Sequence, residues 1–165
     1  MTDALKVVPT EDSISTGVRD TGPLADAVAS VLADTYRLIF KTHACHWNIE
    51  GPLFFAVHNL TEEQYQDLFA AADDLAERIR ALGHLAPSRM EEIINRSRVE
   101  DHDPASTAAE MIDGLANDHA LLAHRLHALI EMAADRKDPV TEDLATNRSA
   151  FHEKAAWMLR ALAKH

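Results

Sequence analysis

The chain has 165 residues, a formal net charge of −11 and a hydrophobic content of 47%. This length suits one domain that buries its own core, and Cys45, the only cysteine, excludes an internal disulfide and a cysteine-rich zinc site. Charges interrupt every apolar run, which excludes a membrane-spanning segment, and the first residues lack a secretory signal pattern. We therefore expect a cytoplasmic protein, since a reducing compartment suits a chain without disulfides.

The first long helix is predicted to follow a polar tail. Residues 1–22 have mixed charges and no periodicity, and residues 23–165 are predicted to form one domain. A glycine before Pro23 favours a helix start, and Gly51 is expected to end the helix. Between them, apolar or small residues recur with the three- and four-residue spacing of an amphipathic helix: Leu24, Val28, Val31, Thr35, Leu38, Thr42 and Cys45.

A second amphipathic helix and a long connection are predicted next. The helix is expected to end at Gly83. The connection contains Pro87, a short helical segment at Met90–Asn95, and Pro104. The apolar positions of the second helix follow the same spacing as those of the first: Tyr65, Leu68, Ala72, Leu75, Ile79 and Leu82.

Two further long helices are predicted after Pro104, with a break at residues 137–139. Short connections make the first two and the last two helices antiparallel, whereas the long connection can cross the bundle. The predicted fold class is therefore all-α: a ferritin-like four-helix bundle with a long crossover between helices 2 and 3 that carries a short extra helix. The apolar positions of the last two long helices are Ile112, Leu115, Leu122, Leu126, Leu129 and Ala133, then Leu144, Phe151, Ala155, Met158 and Leu162.

Four candidate metal ligands precede this crossover: His46, His58, Asp73 and Glu77. At about 100° per residue, the three on the second helix share one sector with Glu62, beside the apolar stripe. His58 and Asp73 are about 22 Å apart at a rise of 1.5 Å per residue, so no single ion binds both within one chain. Either they belong to separate sites, or an antiparallel second subunit brings its carboxylates to these histidines. Imidazole and carboxylate suit Fe(II), Mn(II) or Zn(II).

At these positions the chain resembles the Dps family, the DNA-binding proteins from starved cells. The resemblance extends from about Leu24 to Leu162. It implies a hollow dodecamer with ferroxidase sites at its two-fold interfaces, oxidation of Fe(II) preferentially by hydrogen peroxide, and storage of ferric mineral inside the shell. His46 and His58 would come from one subunit, and Asp73 and Glu77 from the other. The segments that carry the resemblance are His46-Trp47-Asn48-Ile49-Glu50-Gly51, then Phe55 and His58, then Asp73 with Ala76-Glu77-Arg78-Ile79.

The resemblance implies further roles, each with a simpler alternative. Glu62 would lie near a second iron position, although an exposed acidic helix face also explains it. Trp47 would be an electron donor beside the site, with Trp157 as a companion, although core packing is the commoner role of tryptophan. From the ligand chemistry alone, zinc or manganese is expected to compete with iron at the same residues. The family's acidic iron-entry pores would lie near the turn before the last helix: Asp135, Asp138, Glu142 and Asp143.

The remaining histidines and the cysteine are given structural interpretations. His43 precedes the first candidate ligand by one turn and is expected at an interface. His119 lies on an apolar stripe and is expected to be a satisfied core residue. His124 and His127 are not expected to form a site. Cys45 is expected to be a small buried packing residue.

The predicted tail departs from the lysine- or arginine-rich tails that DNA-binding members of this family commonly use. Residues 1–22 contain two basic residues, Lys6 and Arg19, against four acidic ones, a net charge of −2. A shell of such acidic subunits is expected to repel phosphate, so DNA binding is expected to be weak or absent. The acidic residues of this segment are Asp3, Glu11, Asp12 and Asp20.

Three other functions are considered. The first is a DNA-binding, nucleoid-protecting protein with secondary iron chemistry. The second is a ferritin with its di-iron site inside one bundle, but the Glu-x-x-His motifs that it needs are not found. The third is a helical interaction protein without a metal, which leaves the ligand spacing unexplained.

Overall fold

The structure, a computed structural model, describes residues 11–12 and 14–164, so Asp3 and Lys6 of the predicted tail lie outside the described residues. Within this part of the chain, all regular secondary structure is helical. The division between a tail of residues 1–22 and a domain over 23–165 stays a prediction. The described residues form five helices in chain order: α1 Thr21–Asn48, α2 Phe54–Ala81, α3 Met90–Arg96, α4 Ala108–Asp135 and α5 Pro139–Ala163.

The four long helices form the predicted bundle. The pair α1 and α2 and the pair α4 and α5 pack along their lengths, and α1 against α4 and α2 against α5 close the bundle. The long connection at residues 82–107 joins the two pairs and carries α3, which packs on α1. This is the single-crossover arrangement predicted from the connection lengths. No described helix is long and apolar enough to cross a membrane.

A buried carboxylate fixes the crossover to the bundle. Asp34 of α1 is fully buried and accepts hydrogen bonds from Ser97 Oγ at 3.0 Å and from the backbone N–H of Arg98 at 2.7 Å. It also forms an ion pair with Arg125 of α4. A buried charge is tolerated only when it is paired and hydrogen-bonded, so the segment after α3 has one well-defined position.

The helix ends follow local sequence rules. Gly51 and Gly83 follow α1 and α2 with φ of 97° and 91°, a left-handed conformation that favours glycine. Thr107 and Glu110 form a reciprocal capping box at the start of α4. These stops and starts place the turn between α1 and α2, where two candidate ligands lie, at one end of the bundle.

The buried face of α5 is displaced from its predicted position. The predicted stripes of α1 and α4 are buried, as is that of α2 apart from the half-buried Tyr65. In α5, only Ala155 of the predicted stripe is fully buried. Small and polar side chains occupy the centre of that face, so a prediction from hydrophobicity selected the larger residues that flank it. The buried residues of α5 are Thr141, Ala145, Ser149, His152, Ala155, Ala156 and Leu159.

Candidate metal centre

Two histidines face each other across the turn between α1 and α2. His46 lies in the last turn of α1 and is 8% exposed, whereas His58 lies in the second turn of α2 and is half-buried. Their rings stack with centroids 3.7 Å apart and an interplanar angle of 19°. Residues twelve positions apart in the chain thus form one imidazole pair at the end of the bundle where α1 and α2 are joined.

Reciprocal hydrogen bonds fix the tautomer of both rings. His46 Nδ1 lies 2.8 Å from the backbone carbonyl oxygen of His58, and His58 Nδ1 lies 3.0 Å from that of His46. Because a carbonyl oxygen only accepts, each Nδ1 carries the proton and donates it. Each neutral ring therefore keeps its lone pair on Nε2, which is the form in which histidine binds a metal with its other nitrogen oriented by a carbonyl.

The backbone supplies the acceptor at His46 for a simple reason. Carbonyls in the last turn of an α-helix have no N–H from a following turn, and α1 ends at Asn48. Ile49 N–H bonds to the carbonyl of Cys45, and His58 Nδ1 takes the carbonyl of His46. The helix end is thereby satisfied by a side chain of the next helix.

A continuous series of ring contacts leads away from His46. Tyr65 meets its ring edge-on, with centroids 5.3 Å apart at 85°. Tyr65 also packs on His43 at 3.8 Å, and His43 stacks on Trp47 at 4.8 Å and 10°. Trp47 is 60% exposed, and among the described ring contacts its neighbour is His43 rather than His46 or His58. Burial, and then the neighbouring His46, lowers the pKa of His43.

The candidate carboxylates lie far from the histidine pair within the chain. Asp73 and Glu77 are exposed on α2, which is an unbroken helix from Phe54 to Ala81. The span of fifteen residues from His58 to Asp73 therefore amounts to about 22 Å. No group of three or more candidate ligands converges on a metal position within the described chain. Within one subunit, the histidines and the carboxylates are therefore two separate groups of candidate ligands. Their assignment as ligands stays a prediction.

The face of α2 that carries these residues also exposes large apolar side chains. Phe55 and Phe69 are 76% and 65% exposed. At 100° per residue, both fall in the sector of His58, Asp73 and Glu77. Apolar side chains exposed as a group mark interaction surfaces. The other large exposed apolar residues of α1 and α2 are Tyr36, Phe40, Trp47 and Phe54.

The acidic residues given secondary roles differ in their environments. Glu62 is half-buried and accepts a 3.4 Å hydrogen bond from Gln66, and its place near a second iron stays a prediction. Asp138 is fully buried: it caps α5 and forms an ion pair with Arg78 at 2.7 Å. Asp138 is therefore not available to line a pore, and the prediction was wrong because an N-cap and a surface acid look alike in sequence. Asp135 and Asp143 are exposed and Glu142 is half-buried.

The cysteine, the two histidines of α4 and the second tryptophan differ in their exposure. Cys45 is fully buried, and burial raises the pKa of its thiol to about 11. His124 is exposed, and His127 is an exposed partner of Glu153 at 2.9 Å. Trp157 is 66% exposed on α5, whereas the histidine pair lies on α1 and α2.

A second histidine pair lies in the core and was only half predicted. His119 of α4 is fully buried, with Nδ1 2.9 Å from Nδ1 of His152 of α5. Its Nε2 has no hydrogen-bond partner among the described residues, so the expected satisfaction is only partial. Burial, and then the charge of Arg148, lowers the pKa of His119 to about 3. Burial, His119 and Arg148 likewise lower the pKa of His152.

Sequence reasoning missed two residues at the surface pair. Tyr65 was assigned to the core stripe of α2, but it is half-buried and packs on His43 and His46. Thr61 lies with its Oγ1 3.4 Å from His46 Nδ1. The available signal was spacing, since Thr61 and Tyr65 follow His58 by three and seven residues and so lie near it on the same side of the helix.

Comparisons with known proteins agree with this architecture. A model of the ferritin-like domain matches residues 25–165. DNA protection during starvation protein 2 of Bacillus anthracis is 34% identical over 130 residues, which cover 79% of this chain and 89% of that protein. The crystal structure of Dps from Staphylococcus aureus superposes with a TM-score of 0.85 at 26% identity, over 90% of this chain and 99% of that one.

A third comparison bears on the fold's wider relationships. The Dps protein from Vibrio cholerae, described as a member of a broad superfamily of ferritin-like diiron-carboxylate proteins, is 30% identical with a TM-score of 0.82. The match covers 87% of this chain and 91% of that one. The single-crossover bundle, the domain match and these relatives lead to one conclusion: the chain belongs to the Dps family of ferritin-like proteins.

Proposed function

We propose that this protein oxidises Fe(II), preferentially with hydrogen peroxide, and stores the ferric product in a hollow dodecamer, which protects a cytoplasm against oxidative damage. The observation that carries the proposal is the pair of imidazoles whose Nδ1 protons are both committed to carbonyl oxygens. Two Nε2 lone pairs are thereby available at one position. Fe(II), the substrate, accepts such nitrogen ligands together with carboxylates.

The proposal gives the histidines and the carboxylates different roles. His46 and His58 fix the position of the ion, because their rings are held by the turn itself. Asp73 and Glu77 of a second subunit add negative charge, which favours the ferric product over the ferrous substrate. Each site must pass two electrons to one peroxide, so that both oxygens leave as water. In this proposal the catalytic set also includes Trp47, and Glu62 borders the second iron position.

The distances within α2 support a site shared between two subunits. A two-fold axis across the exposed face of α2 pairs each histidine end with the other subunit's carboxylate end and creates two identical sites. The same contact covers Phe55 and Phe69, which one subunit leaves in water. One interface then completes the shared sites and also covers the exposed apolar side chains.

The first test compares the carboxylates with their neighbours. Fe(II) is added anaerobically and oxidation is started with hydrogen peroxide in the wild type, in Asp73→Asn/Glu77→Gln and in Glu63→Gln/Asp74→Asn. The two variants remove the same charge from the same exposed helix. We expect a loss of at least about 100-fold in the first variant, because ligand groups are lost, and little change in the second. Equal rates in all three assembled proteins would contradict the proposal.

Subunit complementation tests the sharing itself. His58→Asn and Asp73→Asn/Glu77→Gln chains are each assembled alone and then mixed during refolding. In a mixed dimer, one of its two sites receives intact histidines and intact carboxylates. Random mixing therefore restores about one quarter of the wild-type sites, whereas sites within single chains would remain inactive.

Competing metals offer a further check on the ligand set. Zinc and manganese accept the same nitrogen and oxygen ligands, so Zn(II) is expected to slow iron oxidation by occupying the site. The inhibition should depend on zinc stoichiometry per site in the wild type. If excess Zn(II) leaves the rate unchanged, the site does not have the proposed composition.

DNA protection is the second candidate function, because the Bacillus anthracis relative is named for it. The net charge of −11 opposes it, since affinity for DNA comes largely from cationic contacts with phosphate. We expect weak or absent binding in a gel-shift assay at about 150 mM salt. Tight binding that disappears when residues 1–20 are deleted would establish DNA as a partner.

A further inference from the structure

We infer that the middle of the helical bundle contains a binding site for small uncharged molecules that both donate and accept hydrogen bonds, and that its occupant is water. The site is formed by one polar side chain from each long helix: Thr42, Gln64, His119 and His152. These side chains are between 0% and 3% exposed. None of them is a candidate metal ligand, so the site is separate from the proposed function.

Contacts of neighbouring residues place the side chains of α1, α2 and α4 at one level of the bundle. The residues that follow Thr42 and Gln64 in the chain are in ring contact, with centroids 3.8 Å apart. The residues that precede Thr42 and His119 form an ion pair at 2.6 Å. Because all three side chains are buried, they point from their helices into the same region of the core.

The last helix, α5, reaches the same level. His152 is in contact with His119, and their Nδ1 atoms lie 2.9 Å apart. Arg148 and Asp67 form an ion pair between α5 and α2 at 2.6 Å. This ion pair lies about one turn away from His152 along α5 and from Gln64 along α2. The four helices therefore present a layer of polar side chains to one another, whereas most of the buried core is aliphatic.

Several atoms of this layer are enclosed without a hydrogen-bond partner among the described residues. They are Thr42 Oγ1, both amide atoms of Gln64, His119 Nε2 and, on the nearby Arg148, Nη2. A buried donor or acceptor without a partner is unfavourable, and folded proteins commonly satisfy such groups with internal water. A buried water makes about three hydrogen bonds, so about one or two waters would satisfy this set.

The unpartnered atoms determine the chemical class of the occupant. Gln64 Nε2 and Arg148 Nη2 are donors, whereas Gln64 Oε1 only accepts. A bare cation cannot accept from the donors, and an anion cannot donate to the acceptor, but water does both. A cation is further disfavoured, because burial, and then the charge of Arg148, lowers the pKa of His119 to about 3.

Gln64 also connects this layer to the surface. It lines a groove of 220 Å³ whose other lining residues belong to α2 and α5. This volume is below the roughly 300–1,000 Å³ of pockets for drug-sized ligands, so the groove admits only small molecules. The amide of Gln64 is enclosed behind the groove, at the end of a flexible side chain. Rotation of that side chain gives water a path between the groove and the layer.

The structural test is a high-resolution crystal structure of the metal-free assembled protein. We expect density for about one or two waters within hydrogen-bond distance of the Gln64 amide and His119 Nε2. A layer without ordered solvent would overturn the inference. Crystals soaked in Zn(II) test the class of the occupant, and the layer should remain free of zinc. Zinc bound at His119 Nε2 would overturn the assignment to an uncharged molecule.

Thermal unfolding gives an independent test in which the two outcomes differ in sign. If water is bound, Gln64→Leu and Thr42→Val remove its partners, and the unfolding midpoint of the assembled protein should fall by about 2–4 °C or more. Gln66→Leu makes the same change at an exposed position of α2 and should stay within about 1 °C of the wild type. An unchanged or higher midpoint in both core variants would overturn the inference, because removal of a buried group that has no partner stabilises a core.

Discussion

The two histidine pairs of this protein use the same side chains in opposite ways. In His46 and His58, each Nδ1 donates to a backbone carbonyl oxygen, and the pair lies at the end of the bundle. In His119 and His152, the two Nδ1 atoms face each other at 2.9 Å within the core. One pair directs its unprotonated nitrogens away from the protein's own hydrogen bonds, whereas the other shares a single proton between its members.

The difference shows that the partner of Nδ1 decides what a histidine can do. Backbone carbonyls hold the first pair in the tautomer that a metal needs, since the shortest contact of each Nδ1 is with a carbonyl oxygen. The second pair is enclosed among helices and lies near Arg148, so both pKa values are lowered and neither ring becomes charged at neutral pH. A histidine pair by itself therefore indicates neither a metal site nor a structural role.

The largest expected effect is on Fe(II) affinity, when one histidine of each pair is replaced by asparagine. His58→Asn keeps a side-chain amide near the position of Nδ1 and removes Nε2, whereas His152→Asn makes the same change in the core. We expect the first to weaken Fe(II) binding by more than about 100-fold and the second to leave it within about threefold. Anaerobic calorimetric titration of the assembled proteins measures both. Equal losses would show that the two pairs belong to one functional unit.

An intermediate effect appears in the pH dependence of stability. The folded pKa of His119 is about 3, below the unfolded value of 6.5, so the unfolded chain binds more protons between these values. The stability contribution of each neutral histidine is complete above pH 6.5 and is lost as the pH falls, by up to about 1.4 kcal/mol per pH unit. His119→Leu/His152→Leu should flatten this dependence in denaturant unfolding measured from pH 7 to pH 4.5.

The exposed histidines of α4 supply the control for that measurement. His124→Gln/His127→Gln removes two histidines from the same helix without touching the core. Its unfolding free energy should fall with pH as the wild type's does. If the control flattens the dependence as much as the core variant, surface charge rather than the buried pair governs acid stability.

The smallest expected effect concerns the orientation of His46. Thr61 Oγ1 lies 3.4 Å from His46 Nδ1, but its own proton is donated to the carbonyl of Val57 at 2.7 Å. The shorter contact of His46 Nδ1, at 2.8 Å, is with the carbonyl of His58. Thr61→Val should therefore change Fe(II) affinity by less than about threefold. A loss of tenfold or more would mean that the hydroxyl, and not the carbonyl, orients the ring.

The fold was predictable because it depends on long periodic signals. Helix existence, the antiparallel pairs and the crossover followed from apolar spacing and connection lengths, and Gly51 and Gly83 ended the helices as expected. The centre of α5 was not predictable in this way, because His152 and Ser149 are polar and interrupt the apolar pattern there. Tertiary burial overrode the local signal at those positions.

The site was predictable in its residue types but not in its hydrogen bonds. The spacing of His58, Asp73 and Glu77 indicated two separate halves, and the unbroken α2 agrees with that separation. The reciprocal carbonyl bonds depend on the orientation of two rings across a turn, which no pattern in the chain encodes. The position of Tyr65 against His46 has the same origin, since half-burial at the edge of a stripe leaves no distinct periodic signal.

The uninterrupted length of α2 has a consequence for how the protein matures. Under the proposed function, a newly synthesised subunit carries two incomplete parts of different sites, which the continuous helix holds apart. In the proposed assembly, such a subunit has no means of completing iron oxidation by itself, whatever the iron concentration around it. The reaction then begins only where subunits have joined, so ferric product is made beside the compartment that receives it.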